Sequence, residues 1–207
     1  MKKNFLIAIL MTAVTTILLG VAYPLVVTGL AQVIFPRKAN GQLIDHGGKV
    51  VGSRIIGQGF SAPEYFHSRP SAAGNGYDAA NSGGSNLGPT NQKLLDRVKG
   101  DVAAAQAENP ATPVPIDMVT TSASGFDPHI TPAAAEFQLP RVDKARGITI
   151  EQLRTVVAKH TEARQFGILG EARVNVLELN LDLNEHFPTN NRATVEQGSS
   201  ALVPGTK

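Results

Sequence analysis

The chain opens with a long apolar run between two basic ends. No charged residue occurs in residues 4–36, and pairs of basic residues flank this run at positions 2–3 and 37–38. A helix needs about 20 apolar residues to cross the roughly 30 Å hydrocarbon core of a bilayer. Residues 5–35 exceed that length, so the pattern predicts one tilted transmembrane helix behind a cytoplasmic stub of residues 1–4.

Two other interpretations of this run are open. A basic start followed by apolar residues also occurs in cleaved secretory signals, and Gly20-Val21-Ala22 and Gly29-Leu30-Ala31 loosely fit a cleavage site. Signal cores, however, span only about 7 to 15 residues. The buried helix of a soluble protein, for its part, rarely lacks charge on every side for so long. The length therefore favours a retained membrane anchor.

Small and weakly polar residues interrupt the apolar run. Thr16, Gly20, Pro24 and Gly29 fall on successive turns of the predicted helix, and small residues permit transmembrane helices to approach each other closely. A proline is tolerated where neighbouring groups satisfy the carbonyl that it frees. These four residues are therefore predicted to contact other helices, although an ordinary single anchor tolerates such side chains as well.

Residues 36–187 show the mixed patterning of a single soluble α/β domain of the α+β type. Val174 to Leu179 alternates with period two, as a strand does, and Lys49 to Ile56 combines β-branched residues with flanking glycines. Residues 57–89 are rich in Gly, Ser, Asn and Pro, which predicts loop, and the aromatic residues within them are expected to pin that loop to the domain. Residues 188–207 contain little to bury, which predicts a disordered tail.

Boundary signals predict three helices in this domain. Residues 89–109 carry an apolar stripe between two prolines. Residues 131–140 start at a Thr-Pro pair and are expected to stop after about two turns, because a proline closes them. Residues 149–160 open with a capping box formed by Thr149 and Gln152.

The charge balance argues against nucleic acid as a partner, but it does not indicate on which side of the membrane the domain lies. The chain carries 19 Lys+Arg and 17 Asp+Glu, so without the two lysines of the stub the balance is 17 against 17. Such a domain lacks the basic surface that nucleic acid binding requires. Basic residues on the two sides of the predicted helix nearly balance, and no cysteine marks an oxidising compartment. The short stub therefore decides the expectation: the N-terminus lies inside and the domain is extracytoplasmic.

Two glycine-rich segments invite a nucleotide interpretation. Residues 57–62 match a dinucleotide fingerprint, but prolines at 63 and 70 leave no room for the long helix that such a turn must open. Residues 82–86, namely Ser82, Gly83, Gly84, Ser85 and Asn86, precede the first predicted helix and are able to present N–H groups and hydroxyls to an anion. A glycine turn leading into a helix accounts for the same pattern.

Asp127 and His129 are the remaining candidates for chemistry. A carboxylate and an imidazole two positions apart form half of a metal site or an acid/base pair, but no further residue completes either arrangement. An Asx-type turn closed by Asp127, with His129 bonded locally, explains the pair more simply. We therefore predict no catalytic residue and no metal site.

Five blocks of sequence together resemble the C subunit of the bacterial Kdp potassium-transporting ATPase. They are, in chain order, Tyr65–Ala72, Ser82–Gly88, Ser124–Pro132, Arg141–Gly147 and Val174–Asn180. The resemblance covers residues 4 to about 187. Phe126 and Thr131 stand where leucine and serine are expected, and both changes are conservative.

The resemblance implies a non-catalytic accessory subunit of a high-affinity, ATP-driven potassium uptake complex in the bacterial inner membrane. Its implied partners are a P-type ATPase subunit, a channel-like subunit that selects potassium, and membrane lipid. The family is described as a catalytic chaperone that raises the ATP affinity of the pump subunit. This description implies no intrinsic cofactor and a contact with ATP at Ser82, Gly83, Gly84, Ser85 and Asn86.

The predicted topology argues against that direct contact, because a domain outside the cytoplasm meets no ATP. On that ground we expect a role in holding the complex together or in shaping the potassium entrance. Two alternatives outside transport stay open, namely a membrane-anchored extracytoplasmic enzyme and a binding module.

Overall fold

The computed structural model describes residues 2–188. The predicted tail lies outside these residues from position 189 onward. The chain divides after Ile55 into two compact units, and each is described by itself below. The predicted domain limits of 36 and 187 stay a prediction.

An apolar helix, Lys2–Ile34, begins the first unit and is long enough to cross a membrane. It comprises α1 (Lys2–Thr15), a π-helical segment (Thr16–Ala22) and α2 (Tyr23–Ile34), and none of its residues is buried within the described part of the chain. Pro24 explains the π-helical segment, since proline donates no N–H and its ring clashes with the carbonyl four residues earlier. Next to it, the Tyr23 N–H bonds to the Leu18 carbonyl, five residues back.

The first unit ends with α3 (Pro36–Ala39) and an antiparallel hairpin of β1 (Leu43–His46) and β2 (Lys49–Ser53). Gly47 and Gly48 form the hairpin turn with φ of 62° and 79°, the left-handed geometry that a two-residue turn requires. The strand predicted from Lys49 is confirmed as far as Ser53.

Up to residue 188, the second unit comprises four α-helices and a small antiparallel sheet of strand order β3-β5-β4. Its elements are α4 (Gln92–Glu108), a 3-10 turn (Ile116–Met118), β3 (His129–Ile130), α5 (Pro132–Arg146), α6 (Ile150–Lys159), β4 (Thr161–Glu162), β5 (Arg173–Asn175) and α7 (Val176–His186). Its core lies among α5, α6, α7 and β5, with Val142, Leu153, Val174 and Leu179 fully buried. The mixed α/β class is confirmed, as is the capping box of Thr149 and Gln152.

The predicted end of α5 at Pro140 is wrong. The helix continues through this residue to Arg146 and ends at Gly147, whose φ of 69° and N–H bond to the Asp143 carbonyl form a C-terminal cap. Buried Leu139 and Val142 on either side of the proline favour helical spacing strongly enough to offset the lost hydrogen bond.

The strand predicted for Val174–Leu179 is also wrong beyond Asn175. The Asn175 side chain accepts a hydrogen bond from the Glu178 N–H at 3.1 Å and so caps a helix rather than continuing a strand. Val176, Leu179 and Leu183 are buried at helical spacing. An alternating pattern therefore conceals the start of α7.

Candidate functional site

The long segment between β2 and α4 contains no regular element in its described residues 57–91, yet its shape is fixed. Phe66 is fully buried in the main core, and Phe60 packs against that core. The rings of Phe60 and Tyr65 lie 5.5 Å apart. The prediction that aromatic residues pin this segment is confirmed.

Two buried side-chain amides replace the missing sheet partners of this segment. Asn180 Oδ1 accepts from the Phe66 N–H at 2.9 Å, and its Nδ2 donates to the Phe66 carbonyl at 2.9 Å. Gln138 Oε1 accepts from the His67 N–H at 2.7 Å, and its Nε2 donates to the His67 carbonyl at 3.2 Å. Each amide thus satisfies both polar groups of one backbone residue, as a neighbouring strand would.

Arg141 fixes the start of the same segment. Its guanidinium donates to the Pro63 carbonyl at 2.7 Å and to the Tyr65 carbonyl at 2.8 Å. The same group pairs with Glu108 of α4 at 2.8 Å. One side chain of α5 therefore joins the loop to α4.

Arg146 performs a second clamping role, one and a half turns further along α5. It donates to the Glu64 carbonyl at 2.6 Å, to the Phe187 carbonyl at 2.9 Å and to Asn184 Oδ1 at 2.9 Å. Its guanidinium lies 5.1 Å from the centre of the Tyr65 ring, a favourable cation–π distance. Burial lowers the pKa of Arg146, but an arginine stays charged in proteins.

Asp127 and His129 form a turn that holds the loop of residues 57–91 at a second place, through Arg69. Asp127 Oδ1 accepts from the His129 N–H at 3.0 Å, which confirms the Asx-type turn. Asp127 Oδ2 pairs with Arg69 at 2.9 Å, and Arg69 also donates to Thr120 Oγ1 at 3.2 Å. Both carboxylate oxygens therefore hold the loop in place.

The segment 82–86 lies against the turn that ends at Gly125. Ser82 Oγ and the Gly83 N–H both donate to the Ser124 carbonyl, at 2.9 and 3.0 Å. A Cβ at Gly84 would lie 3.0 Å from the Ala123 carbonyl oxygen, whereas one at Gly83 would meet nothing within 4 Å. Because α4 begins only at Gln92, with Asn91 as its cap, the segment ends five positions ahead of that cap. Their contact with a nucleotide stays a prediction.

Gly57, the first glycine of the fingerprint-like sequence, has a packing role. Its N–H donates to the Phe126 carbonyl at 2.8 Å. A Cβ there would lie 2.5 Å from the Asp127 carbonyl oxygen, a distance that no side chain tolerates. The glycine is needed so that two backbone segments can touch.

The four residues of the apolar helix that were predicted to contact other helices do not share one face. A Cβ at Gly20 would lie 3.8 Å from Thr16 Cγ2, so these two are neighbours. Gly29 follows Pro24 by five positions, which is about 140° around an α-helix, and a Cβ on it would meet nothing within 4 Å. Contacts of these residues with other helices stay a prediction.

Asp182 of α7 is the most highly connected carboxylate of the described residues. Lys159 Nζ lies 3.0 Å from it, His160 Nε2 2.8 Å and His186 Nδ1 2.9 Å. Burial raises its pKa, but the hydrogen bonds from His160 and Lys159 lower it by more, so the net pKa is below the usual value. Asp182, Glu185 and His186 bring ligand atoms within 4.8 Å of one another, but the ammonium on Asp182 opposes a second cation there.

One exposed feature escaped the sequence reasoning. The β4–β5 hairpin ends in Phe166, Ile168 and Leu169, whose exposed fractions are 83%, 76% and 54%. Gly167 and Gly170 make this segment look like an ordinary turn. The available signal was the presence of three large apolar residues inside that turn.

Comparisons with known proteins place these features in a family context. A family model described as the K+-transporting ATPase, c chain, matches residues 5–185. The chain is 68% identical over 188 residues to the potassium-transporting ATPase KdpC subunit of Koribacter versatilis, covering 91% of this chain and 97% of that one. It is 56% identical over 183 residues to the KdpC subunit of Rhodospirillum rubrum, covering 87% and 95%. The matched region includes both the apolar helix and the clamped loop.

Proposed function

Because the chain belongs to the family of KdpC subunits of the potassium-transporting ATPase, we propose that it is a non-catalytic accessory subunit that holds that complex together. Its proposed partners are the P-type ATPase subunit that hydrolyses ATP and the channel-like subunit that selects potassium. The apolar helix fits a membrane-anchored subunit. We place the chain in the bacterial inner membrane with its N-terminus inside and its domain outside.

One observation carries this proposal: polar side chains of α5 and α7 are engaged with the chain's own backbone. Gln138, Arg141, Arg146 and Asn180 all bond to main-chain groups of residues 63–67. A reacting site needs polar groups that are aimed at a substrate. Groups that fix the shape of a loop instead support a rigid recognition surface.

Affinity purification tests the accessory role. The full-length chain, tagged at its C-terminus, is extracted in mild detergent from potassium-starved cells, and the co-purifying proteins are identified while potassium-stimulated ATPase activity is measured. We expect recovery of a P-type ATPase and a multispanning channel-like protein with that activity. A chain that purifies alone, under conditions that preserve other membrane complexes, contradicts the proposal.

Gly20 is the position at which a helix contact is best tested. Gly20→Leu adds bulk beside Thr16 and is expected to reduce recovery of the partner subunits several-fold, since close helix approach requires small residues. Ala22→Leu adds comparable volume on the opposite side of the helix, two positions from both Gly20 and Pro24, and serves as the control. Equal recovery with both variants would remove Gly20 from the interface.

Direct nucleotide contact is the second candidate function. The observation that favours it is the open space at Gly83, where a Cβ would meet nothing within 4 Å, so a ligand is able to approach the backbone. It is second because an extracytoplasmic domain meets no ATP. Gly83→Ala should weaken photolabelling of the complex by an azido-ATP analogue if the contact exists, and Gly88→Ala, which is equally unhindered, controls for folding.

Membrane topology separates the two candidates. The chain contains no cysteine, so Ala104→Cys places a single thiol on the exposed surface of α4. Labelling of intact spheroplasts by an impermeant maleimide would exclude direct ATP contact by this domain. Labelling only after lysis would exclude the proposed extracytoplasmic location.

A further inference from the structure

The hairpin tip, defined as Phe166, Ile168 and Leu169, exposes more apolar surface than a soluble turn requires. The exposed fractions of these side chains are 83%, 76% and 54%. Isolated exposed apolar residues are ordinary, but a contiguous group of large ones marks an interaction site. These three residues are confined to one turn between β4 and β5.

The backbone of the tip is fixed rather than loose. The N–H of Gln165 donates to the Leu169 carbonyl and the N–H of Leu169 donates back to the Gln165 carbonyl, each at 2.9 Å. Between them, Phe166 adopts φ of 55° and Gly167 φ of 78°. A left-handed conformation is unfavourable for a bulky residue, and such strain concentrates at binding and switch positions. The hydrogen bonds hold the strained turn in a conformation that presents Phe166 to solvent.

The base of the tip is charged but electrically balanced. Arg164 pairs with Glu171 at 2.5 Å, and Arg173 pairs with Glu162 at 2.7 Å. Each pair links the two arms of the hairpin. An apolar segment that binds an anionic lipid surface normally carries an excess of basic residues around it, and this segment has none.

We propose that the hairpin tip inserts into an apolar, uncharged groove on another subunit of the potassium-transporting ATPase complex. Charge complementarity supports this occupant, since a neutral rim suits a protein groove and offers no attraction to anionic lipid. A preorganised tip also reduces the entropy lost on binding. Buried aromatic and aliphatic anchors are the usual source of affinity at such a contact. This inference rests on the proposed accessory role.

The test uses the full-length tagged chain in the complex and three variants. Ile168→Ser removes an apolar anchor of the tip. Phe166→Gly removes another while relieving the left-handed backbone, so the variant should melt at the same temperature as the parent chain or higher. The matched control is Ile116→Ser, an identical substitution at a residue that is 74% exposed outside the tip.

We expect both tip variants to reduce recovery of the partner subunits about tenfold or more, as loss of an interface anchor does, while Ile116→Ser recovers them at the parental level. Full recovery with both tip variants overturns the proposal, and so does an equal loss with the control. Failure of the unmodified chain to recover any subunit would instead reject the accessory role itself.

Photocrosslinking identifies the occupant. Phe166→p-benzoylphenylalanine should form an adduct with one of the other subunits of the complex, and mass spectrometry of that adduct identifies the groove. Adducts with phospholipid alone would overturn the proposal of a protein groove and would indicate that the tip contacts the membrane surface.

Discussion

Asn180 and Phe66 lie 114 positions apart in the chain and share two hydrogen bonds of 2.9 Å between the Asn180 amide and the Phe66 backbone. Both partners are buried. The loop that carries two of the family blocks therefore owes part of its shape to a side chain of α7.

Replacing this amide should destabilise the domain strongly. Asn180→Ala leaves one N–H and one carbonyl of Phe66 buried without partners, at about 1–3 kcal/mol for each group. We expect the free energy of unfolding of the full chain in detergent to fall by about 2–4 kcal/mol. Asn75→Ala, at an exposed asparagine, is the control and should change stability by less than about 0.5 kcal/mol. Similar losses at both positions would contradict the assigned role.

Close packing at Gly57 gives a second prediction. In Gly57→Ala the new Cβ meets the Asp127 carbonyl oxygen at 2.5 Å, and two backbone segments must separate to admit it. Overpacking of this kind costs about 1–3 kcal/mol, which thermal unfolding will detect. Gly88→Ala meets nothing within 4 Å and should be neutral or slightly stabilising.

Pro140 is expected to weaken α5 without interrupting it. Pro140→Ala restores an N–H that is able to bond to the Glu136 carbonyl, and because the site is exposed no packing is lost. A proline within a helix costs about 3 kcal/mol, so we expect the variant to gain about 1–3 kcal/mol in denaturant unfolding. Pro113→Ala, in the α4–α5 connection, should bring no gain. An unchanged stability in Pro140→Ala would argue against a continuous helix.

Asp182 predicts a loss of stability in acid. Its pKa is lowered in the folded state because, although burial raises it, hydrogen bonds from His160 and Lys159 more than compensate. A carboxyl with a lowered folded pKa stabilises the protein above its unfolded pKa of about 4, and this contribution is lost as pH falls through the lower folded value.

Unfolding measured between pH 7 and pH 3 checks this prediction. Asp182→Asn should be less stable than the parent chain at neutral pH, and the difference should shrink below about pH 4. Asp143→Asn alters a carboxylate that makes no ion pair within residues 2–188 and controls for general charge effects. A pH-independent difference for Asp182→Asn would reject the linkage.

Sequence patterns within a single segment of the chain predicted those elements that depend on few distant contacts. The apolar helix, the capping box at Thr149 and the strand from Lys49 follow from residues within a few positions of one another. The end of α5 and the start of α7 were mispredicted, because burial of Val142 and Leu179 against distant partners outweighs a proline and an alternating pattern. Such packing is invisible in a short window.

The side chains that hold the loop of residues 57–91 could not be predicted from such local patterns. Gln138 and Asn180 are polar residues within helices, a pattern typical of exposed faces. Their backbone partners lie 71 and 114 positions earlier, and no periodicity relates them. Asn180 ends one of the family blocks, but the sequence of that block does not reveal what its side chain contacts.

The separation of Asn180 from Phe66 also sets an order of events during synthesis. Long-range contacts are slow to form because the intervening chain must first be brought together. At about 5–20 residues per second, the 114 positions between Phe66 and Asn180 take roughly 6 to 23 s to synthesise. Throughout that interval the loop of residues 57–91 lacks the Asn180 side chain to which the Phe66 backbone bonds. A ribosome stalled before α7 would therefore hold a chain in which the backbone of Phe66 has not yet met its Asn180 partner.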